Sequence, residues 1–240
     1  MSVERVPIKH ASGLRRLWEA IKPPPAVESQ DQSLSPEERL RRRRLVLSTL
    51  AIVVVAAASW GIYEYIASAP MRAEKVYQDG MRLFGAGNFK GAEDRFTDAI
   101  SIWPHLAAAY LQRGLARKNT NQVDAAIDDF QHALTEDANQ APAHTALGVI
   151  YRERGDVTQA MKELTAAINL SGDTDAFYQR GQIHESQGEH QLAIQDYDSA
   201  IHDQPDAPYV YRARAMSRDA IGDHDAAEED RREAIRIERH

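Results

Sequence analysis

The sequence predicts an all-α protein in which a solenoid of about five helical hairpins follows a single transmembrane helix. Small residues recur 33 or 34 residues apart at Gly80, Gly114, Gly148, Gly181 and Ala215. A repeat of this length is typical of helical hairpins that stack on one another. The second observation is an uncharged, mostly apolar run at residues 45–63, which is long enough to cross a bilayer as a helix.

Charge is distributed unevenly along the 240 residues. Residues 1–44 hold ten Lys/Arg and six Asp/Glu, a net charge of +4, and the whole chain carries −7, so residues 45–240 carry −11. An acidic domain argues against nucleic acid as a partner, because that binding needs clustered Lys and Arg. The chain contains no cysteine, which excludes disulfides and thiolate metal sites.

The apolar run shows no polar stripe of the kind that a soluble helix carries. Its few hydroxyl groups belong to Ser48, Thr49 and Ser59, and they can bond back to their own helix. Trp60 and Tyr63 lie at one end, where aromatic rings favour the membrane interface. We therefore predict a transmembrane helix at residues 45–66. Ala57 and Gly61 form a small-xxx-small pair, which leaves a homo-oligomer possible.

The charges that flank this helix predict its orientation. Five arginines crowd its N-terminal side (Arg39, Arg41, Arg42, Arg43 and Arg44), and few basic residues follow it. The positive-inside rule then places residues 1–44 in the cytoplasm and the rest outside it. The arrangement is similar to that of bacterial inner-membrane proteins with a periplasmic repeat domain, and this likeness implies a bacterial inner membrane. Ala67, Ser68 and Ala69 are similar to a signal-peptidase site, but the preceding basic region is too long and Pro70 disfavours cleavage. We expect an uncleaved signal-anchor.

Residues 1–44 are predicted to be a basic cytoplasmic tail that is mostly disordered. Residues 12–22 can form a short amphipathic helix, with Leu14 and Trp18 on its apolar face. Three interpretations stay open: binding to anionic lipid, docking of a cytoplasmic partner, or a chance pattern in a linker. Residues 23–36 are rich in proline and form a spacer. A second helix is expected to begin at Ser35 and Pro36 and to continue into the membrane span.

Further positions recur when each recurring glycine is numbered position 8 of a 34-residue unit. Positions 20 and 27 are alanine in all five units. Position 15, the expected hairpin turn, is Gly87, Asn121, Gly155, Gly188 and Gly222, and position 24 is Phe96, Phe130, Leu164, Tyr197 and Arg231. Small residues let the helices approach closely, a bulky residue at position 24 fills the space between hairpins, and glycine permits the turn.

This pattern resembles the tetratricopeptide repeat family, with units at 73–106, 107–140, 141–173, 174–207 and 208–240. The resemblance implies a right-handed superhelix whose concave face is lined by positions 2, 5, 9 and 12 of the first helix of each unit. It also implies a protein-binding scaffold. The charged helix at 225–240 is expected to act as a solubilising cap, because a terminal repeat faces water.

The implied concave face contains twelve candidate residues for a protein-binding groove. They are Tyr77, Met81, Leu111, Leu115, Lys118, Thr145, Val149, Arg152, Tyr178, Gln182, Arg212 and Met216. Such a groove, apolar in its first three units and charged toward its C-terminal end, suits an extended or helical segment of another protein. The protein's own tail or a second copy could fill it instead. Leu111 is expected to be partly exposed, so that Leu111→Glu would abolish binding without unfolding the domain.

One known activity of the family is not expected. Members that grip the C-terminal carboxylate of chaperones use Lys and Asn where this chain has Tyr77 and Met81. No catalytic, cofactor or metal site is expected either. The glycines belong to the helical frame, and the nine histidines lack the spacing of metal ligands. Paired carboxylates such as Asp128–Asp129 and Glu228–Glu229 are expected on exposed faces of the second helices.

The sequence therefore predicts a non-enzymatic, membrane-anchored scaffold or assembly factor that binds a protein or peptide segment on the extracytoplasmic side. Two alternatives keep the same fold. In one, the protein is an organelle-membrane receptor whose repeats face the cytosol. In the other, it is a regulatory subunit of an envelope enzyme or secretion complex and signals through its basic tail.

Overall fold

The computed structural model of the protein describes residues 35–239. Within them the chain forms eleven α-helices and no strand, and it divides into two compact units between residues 66 and 67. The predicted helix at 12–22 and the proline-rich spacer before Ser35 lie outside the described residues. The helices are α1 (Pro36–Ala67), α2 (Ala69–Gly85), α3 (Phe89–Ile102), α4 (Ala107–Asn119), α5 (Val123–Glu136), α6 (Ala141–Glu153), α7 (Val157–Ser171), α8 (Thr174–Ser186), α9 (His190–Asp203), α10 (Pro208–Ala220) and α11 (His224–Glu238).

Helix α1 begins at the predicted residue and contains the whole apolar run. Ser35 and Glu38 form a reciprocal cap, with the Glu38 amide donating to Ser35 Oγ at 3.3 Å and the Ser35 amide donating to Glu38 Oε2 at 2.8 Å. The hydroxyls of Ser48 and Ser59 donate to backbone carbonyls of their own helix at 2.8 Å, as predicted. None of its residues is buried, and by length and composition the helix is able to cross a membrane.

Helices α2–α11 pack as five consecutive hairpins, and the second helix of each hairpin also packs on the first helix of the next. We name the two helices of each hairpin helix A (α2, α4, α6, α8, α10) and helix B (α3, α5, α7, α9, α11). The first hairpin starts earlier than the predicted residue 73, because α2 begins at Ala69, and Ala69 is itself buried.

The repeated glycines lie where helix A meets its own helix B. A Cβ atom added to Gly80 would lie 2.6 Å from Phe96 Cε1, and one added to Gly181 would lie 2.6 Å from Tyr197 Cε1. The rings at position 24 are completely buried, as are the alanines at positions 20 and 27 of every unit. The pattern of small and bulky positions therefore describes the actual packing of the hairpins.

The hairpin turns adopt the left-handed backbone conformation that the sequence predicts. Gly87, Gly155, Gly188 and Gly222 have φ between 76° and 86°, and Asn121 has φ 62° at the corresponding place in the second unit. Asparagine tolerates this conformation better than most residues other than glycine. Helix B then starts within three residues of each turn; Asn88, for example, accepts a hydrogen bond from the Gly91 amide at 3.0 Å as its N-cap.

Asp129 corrects one prediction. The Asp128–Asp129 pair was expected to be exposed, but Asp129 is only 1% exposed. Arg113 Nη2 donates to its Oδ1 at 2.7 Å, Arg113 Nε donates to its Oδ2 at 3.0 Å, and Arg117 Nη1 donates to Oδ2 at 2.9 Å. Position 23, which Asp129 occupies, faces helix A of the same unit. The carboxylate is therefore part of the packed interior, where its charge is paired.

The same arginine–aspartate pair recurs in the fourth and fifth units. Arg180 binds Asp196 and Arg214 binds Asp230, again from position 7 of helix A to position 23 of helix B. The remaining guanidinium nitrogen reaches back to helix B of the preceding unit. Arg214 Nη1, for example, donates to Asp198 Oδ1 at 2.5 Å. Each arginine thus links three helices and fixes how one hairpin sits on the next.

Candidate protein-binding groove

The helices A of the second to fifth units line a groove of about 580 Å³. Its lining is contributed by α4, α6, α8 and α10, together with the cap residue that precedes α8. The lining residues are Leu115, Lys118, Pro142, Thr145, Ala146, Val149, Asp173, Asp175, Tyr178, Gln179 and Tyr209. The floor is apolar, whereas charged groups stand at the two ends of the helices. This is the arrangement that an elongated ligand requires.

Five of the twelve predicted residues line this groove. Leu115 and Lys118 come from α4, Thr145 and Val149 from α6, and Tyr178 from α8. Four of the five are partly exposed, and Thr145 is 9% exposed. The structure therefore brings these five residues, from positions 5, 9 and 12 of helix A, to one groove, and their role in protein binding stays a prediction.

Leu111 corrects a second prediction. It is only 8% exposed and belongs to a hydrophobic cluster with Phe130 and Leu147. A glutamate at this position would place an unpaired carboxylate in that cluster, so Leu111→Glu is expected to destabilise the fold. In the first unit, Tyr77 and Met81 are half-buried and do not line the groove; the Tyr77 ring packs against Phe96 with centroids 5.6 Å apart.

The other predicted residues lie around the groove or at its far end. Gln182 Nε2 donates to the Tyr178 hydroxyl at 2.8 Å and so helps to fix that ring. Arg152 is partly buried at position 12 of α6. Arg212 forms an ion pair with Glu238, while Met216 is 58% exposed on α10.

Six lining residues were not singled out from the sequence. Three of them, Pro142, Asp175 and Tyr209, occupy position 2, which the family resemblance had implied without naming the side chains. Ala146 and Gln179 occupy position 6, and Asp173 is the residue before α8. Position 6 follows directly after position 5 on the helix. Whether a side chain at position 6 reaches the groove is decided only by the packing of neighbouring hairpins.

Two tyrosines form an aromatic wall. The rings of Tyr178 and Tyr209 meet edge to face with centroids 4.8 Å apart, a favourable geometry for aromatic pairs. Burial raises the pKa of the Tyr178 hydroxyl, and the neighbouring Arg152 charge opposes that rise. Burial likewise raises the pKa of Tyr209, and Asp175 adds to the effect. Both phenols are therefore neutral at physiological pH and offer hydroxyl groups to a ligand.

Asp173 joins two of the helices that form the groove. Its Oδ1 accepts a hydrogen bond from the Asp175 amide at 3.0 Å, which caps α8. Its Oδ2 accepts one from Thr145 Oγ1 on α6 at 2.5 Å. The carboxylate is thus used internally to hold α8 against α6, which sets the width of the groove at this point.

Proteins of known family or structure share this architecture. The tetratricopeptide repeat profile matches four overlapping stretches at residues 77–142, 111–176, 145–208 and 178–237. Among solved structures, the crystal structure of MamA has a TM-score of 0.58 at 24% identity and covers 67% of this chain and 94% of that one. YrrB, described as a TPR protein with an unusual peptide-binding site, has a TM-score of 0.53 at 19% identity and covers 68% and 84%. At these identities the likeness establishes the fold alone.

Curated relatives match over shorter stretches. A tetratricopeptide repeat and J domain-containing co-chaperone, DNJ1 of Cryptococcus neoformans, is 29% identical over 43% of this chain and 20% of its own length. The E3 ubiquitin-protein ligase CHIP of Arabidopsis thaliana is 30% identical over 42% of this chain and 37% of its own. The chain therefore spans well under half of these relatives. The tetratricopeptide repeat profile, in contrast, covers about two thirds of the 240 residues, in the same repeat frame that the buried glycines and the turns define. The chain therefore belongs to the tetratricopeptide repeat family.

Proposed function

We propose that this protein is a non-enzymatic scaffold or assembly factor, anchored in a membrane by α1, which binds a segment of another protein in the groove of its repeat domain. The observation that carries the proposal is the groove itself. It is elongated, built from four helices A, apolar at its floor and polar at its edges. Grooves of this kind take up an extended or helical segment rather than a small substrate.

The aromatic wall supports binding of a polypeptide. Tyrosine is enriched among the residues that contribute most to protein interfaces, because its ring is large and rigid and its hydroxyl forms hydrogen bonds. Tyr178 and Tyr209 are both accessible from the groove. Members of this repeat family act generally as non-enzymatic scaffolds, and the fold is shared with a peptide-binding protein.

The groove is tested with a matched pair of variants in the full-length, membrane-embedded protein. Val149→Trp fills the floor of the groove with a bulky, uncharged ring, and Leu192→Trp adds the same side chain on α9, where Leu192 is 44% exposed outside the groove. We expect cross-linked partners of the wild type to be lost from Val149→Trp and kept by Leu192→Trp. Equal capture by the two variants would contradict binding in the groove.

The membrane anchor is the second part of the proposal. Residues 45–63 of α1 are apolar and exposed throughout, and a cluster of arginines precedes them in the same helix. We therefore propose that α1 spans a bacterial inner membrane with residues 1–44 in the cytoplasm and the repeat domain outside it. A solvated helix with this much exposed apolar surface would favour association or insertion.

The absence of native cysteine makes the topology easy to measure. Single variants Ser12→Cys and Ser171→Cys place one thiol in the tail and one at the exposed end of α7. With a membrane-impermeant maleimide on spheroplasts, we expect Ser171→Cys to react at once and Ser12→Cys only after lysis. The opposite pattern would support the cytosol-facing receptor. Reaction of both before lysis, with the protein recovered in the soluble fraction, would exclude an anchor.

A further inference from the structure

Two cations, one that lines the groove and one beside it, have no charged partner within residues 35–239, although most cations of the repeat domain are paired. Lys118 lines the groove from α4, and Arg152 holds the same position one unit later on α6. Within residues 35–239 neither has a carboxylate at salt-bridge distance, and the buried Arg152 Nε has no hydrogen-bond partner. By contrast, Arg113 and Arg180 each bind an aspartate at 2.7 Å. Uncompensated charge at the edge of a groove favours a ligand of opposite charge.

The acidic groups of the groove do not neutralise these cations. Asp173 and Asp175 lie at the N-terminal end of α8, whereas position 12 lies in the last turn of helix A, roughly 15 Å away along a helix of this length. Asp173 is bound to Thr145 and to the Asp175 amide. Glu185 follows Arg152 at position 12 of α8, and its Oε2 accepts a hydrogen bond from the Tyr197 hydroxyl at 2.8 Å. The groove thus has one acidic edge that helps to hold the helices together. At position 12 of α4 and α6 it has two cations with no carboxylate at salt-bridge distance within residues 35–239.

A third group in the groove lacks a partner. Gln179 lines it from α8, and its buried Oε1 accepts no hydrogen bond from the described residues. A buried acceptor without a donor is unfavourable by about 1–3 kcal/mol. A backbone N–H of an extended peptide is a donor of suitable size and strength, and it would be supplied by any sequence.

We infer that the groove accepts an extended acidic segment of another protein whose side-chain carboxylates bind Lys118 and Arg152. An apolar side chain of that segment packs against Leu115 and Val149 on the floor, and one of its backbone amides donates to Gln179. This inference rests on the proposed function and specifies its partner: two acidic residues close to an apolar one. The rest of the repeat domain is acidic and repels an acidic segment. The two cations therefore determine where along the groove the carboxylates of the segment bind, as well as the charge that the segment must carry.

The test uses a random dodecapeptide library in which the C-terminus of each peptide is fused to the display protein, so that no free terminal carboxylate is present. The library is selected on the full-length protein in nanodiscs. We expect enriched peptides to carry at least two Asp or Glu near an apolar residue. A selected peptide is then synthesised, labelled, and titrated by fluorescence anisotropy. We expect the double variant Lys118→Gln/Arg152→Gln to weaken binding at least tenfold. The control Lys75→Gln/Lys162→Gln removes the same charge from exposed sites outside the groove and should change affinity less than twofold.

The possible failures are distinguishable. If enriched peptides are neutral or basic and still lose binding in Val149→Trp, the groove binds peptides but the acidic partner is wrong. If no peptide is enriched, or Val149→Trp binds as well as wild type, the proposed function fails as well. Equal affinity of the free-acid and C-terminally amidated peptide assigns the contact to side-chain carboxylates, whereas loss on amidation would overturn that assignment. Unchanged thermal unfolding of the double variant shows that its effect is on binding.

Discussion

Close approach of the helices at position 8 can be tested by adding a single methyl group. In Gly148→Ala the new Cβ atom would lie 2.6 Å from Leu164 Cγ, 2.7 Å from Leu164 Cδ2 and 3.3 Å from the Leu164 backbone nitrogen. A rotamer change of Leu164 can move Cδ2, but the backbone nitrogen moves only with its helix. Helices α6 and α7 would therefore have to separate. The chain contains a parallel: Ala215 occupies position 8 in the fifth unit, where position 24 is Arg231 rather than a buried apolar residue.

Two opposing effects determine how much Gly148→Ala changes the free energy of unfolding. Alanine is more favourable than glycine inside a helix by about 1 kcal/mol, whereas overpacking a core usually destabilises by about 1–3 kcal/mol. Gly148→Ala should therefore lower the free energy of unfolding by up to about 2 kcal/mol. Gly85→Ala, at the exposed end of α2, meets no atom within 4 Å and retains only the favourable effect. The difference between the two variants isolates overpacking, about 1–3 kcal/mol.

Thermal unfolding of the full chain in detergent micelles, followed by far-UV circular dichroism, measures this difference. In a domain of this size 1 kcal/mol corresponds to roughly 2–4 °C in Tm. We expect Gly148→Ala to unfold several degrees below wild type and Gly85→Ala to unfold at or slightly above it. Gly148→Leu should lower the Tm further. Equal shifts of the Tm in Gly148→Ala and Gly85→Ala would mean that α6 and α7 are not in close contact at position 8, and would refute overpacking there.

Three other predictions concern the interior and the turns. Arg113→Met leaves the buried Asp129 with fewer hydrogen-bond donors and should lower the free energy of unfolding by about 3 kcal/mol. The control Arg232→Met, on the exposed face of α11, should change the free energy of unfolding by less than about 1 kcal/mol. Urea unfolding of both variants measures the difference. Burial opposes ionisation of Glu93, but hydrogen bonds from neighbouring donors outweigh it and lower its pKa from the ordinary 4.5. The stability that ionised Glu93 contributes is therefore present above pH 4.5 and is lost as the pH falls through the lowered pKa. Glu93→Gln should flatten the acid limb of a plot of Tm against pH. An unchanged acid limb would contradict this prediction. Finally, Asn121→Val should destabilise by about 1–2 kcal/mol because its φ is 62°, while Asn121→Gly should be tolerated, as differential scanning calorimetry can show.

Local sequence rules predicted most of the repeat architecture. Glycine or asparagine at position 15, alanine at positions 20 and 27 and a bulky residue at position 24 each reflect a requirement inside one hairpin. The first four hairpins meet all of these requirements, and the fifth, which has Arg231 at position 24, meets those at positions 15, 20 and 27. The start of α1 was likewise predictable, because Ser35, Pro36 and Glu38 form a local N-terminal signal. Such features depend on a few neighbouring residues and are therefore visible in a single chain.

Two wrong predictions concern contacts beyond one helix. Asp129 is expected on an exposed position of helix B, and nothing nearby in sequence identifies Arg113 and Arg117, which lie on helix A of the same hairpin. Leu111 was assigned partial exposure from its position in the repeat, but its side chain packs into the cluster that contains Phe130. In both cases burial is decided by another helix that packs against the residue.

By itself, then, the sequence determined the repeat frame, the hairpin turns, the apolar segment and the helices that face the groove, since these follow from spacing, backbone conformation and hydropathy. Only the tertiary structure decided which side chains on those helices line the groove and which are buried beside it. It also showed that Lys118 and Arg152 have no charged partner among the described residues 35–239, while most other cations of the repeat domain are paired. The physical reason is that the exposure of a side chain and the pairing of its charge depend on how successive hairpins pack. That packing results from many contacts between residues far apart in the chain.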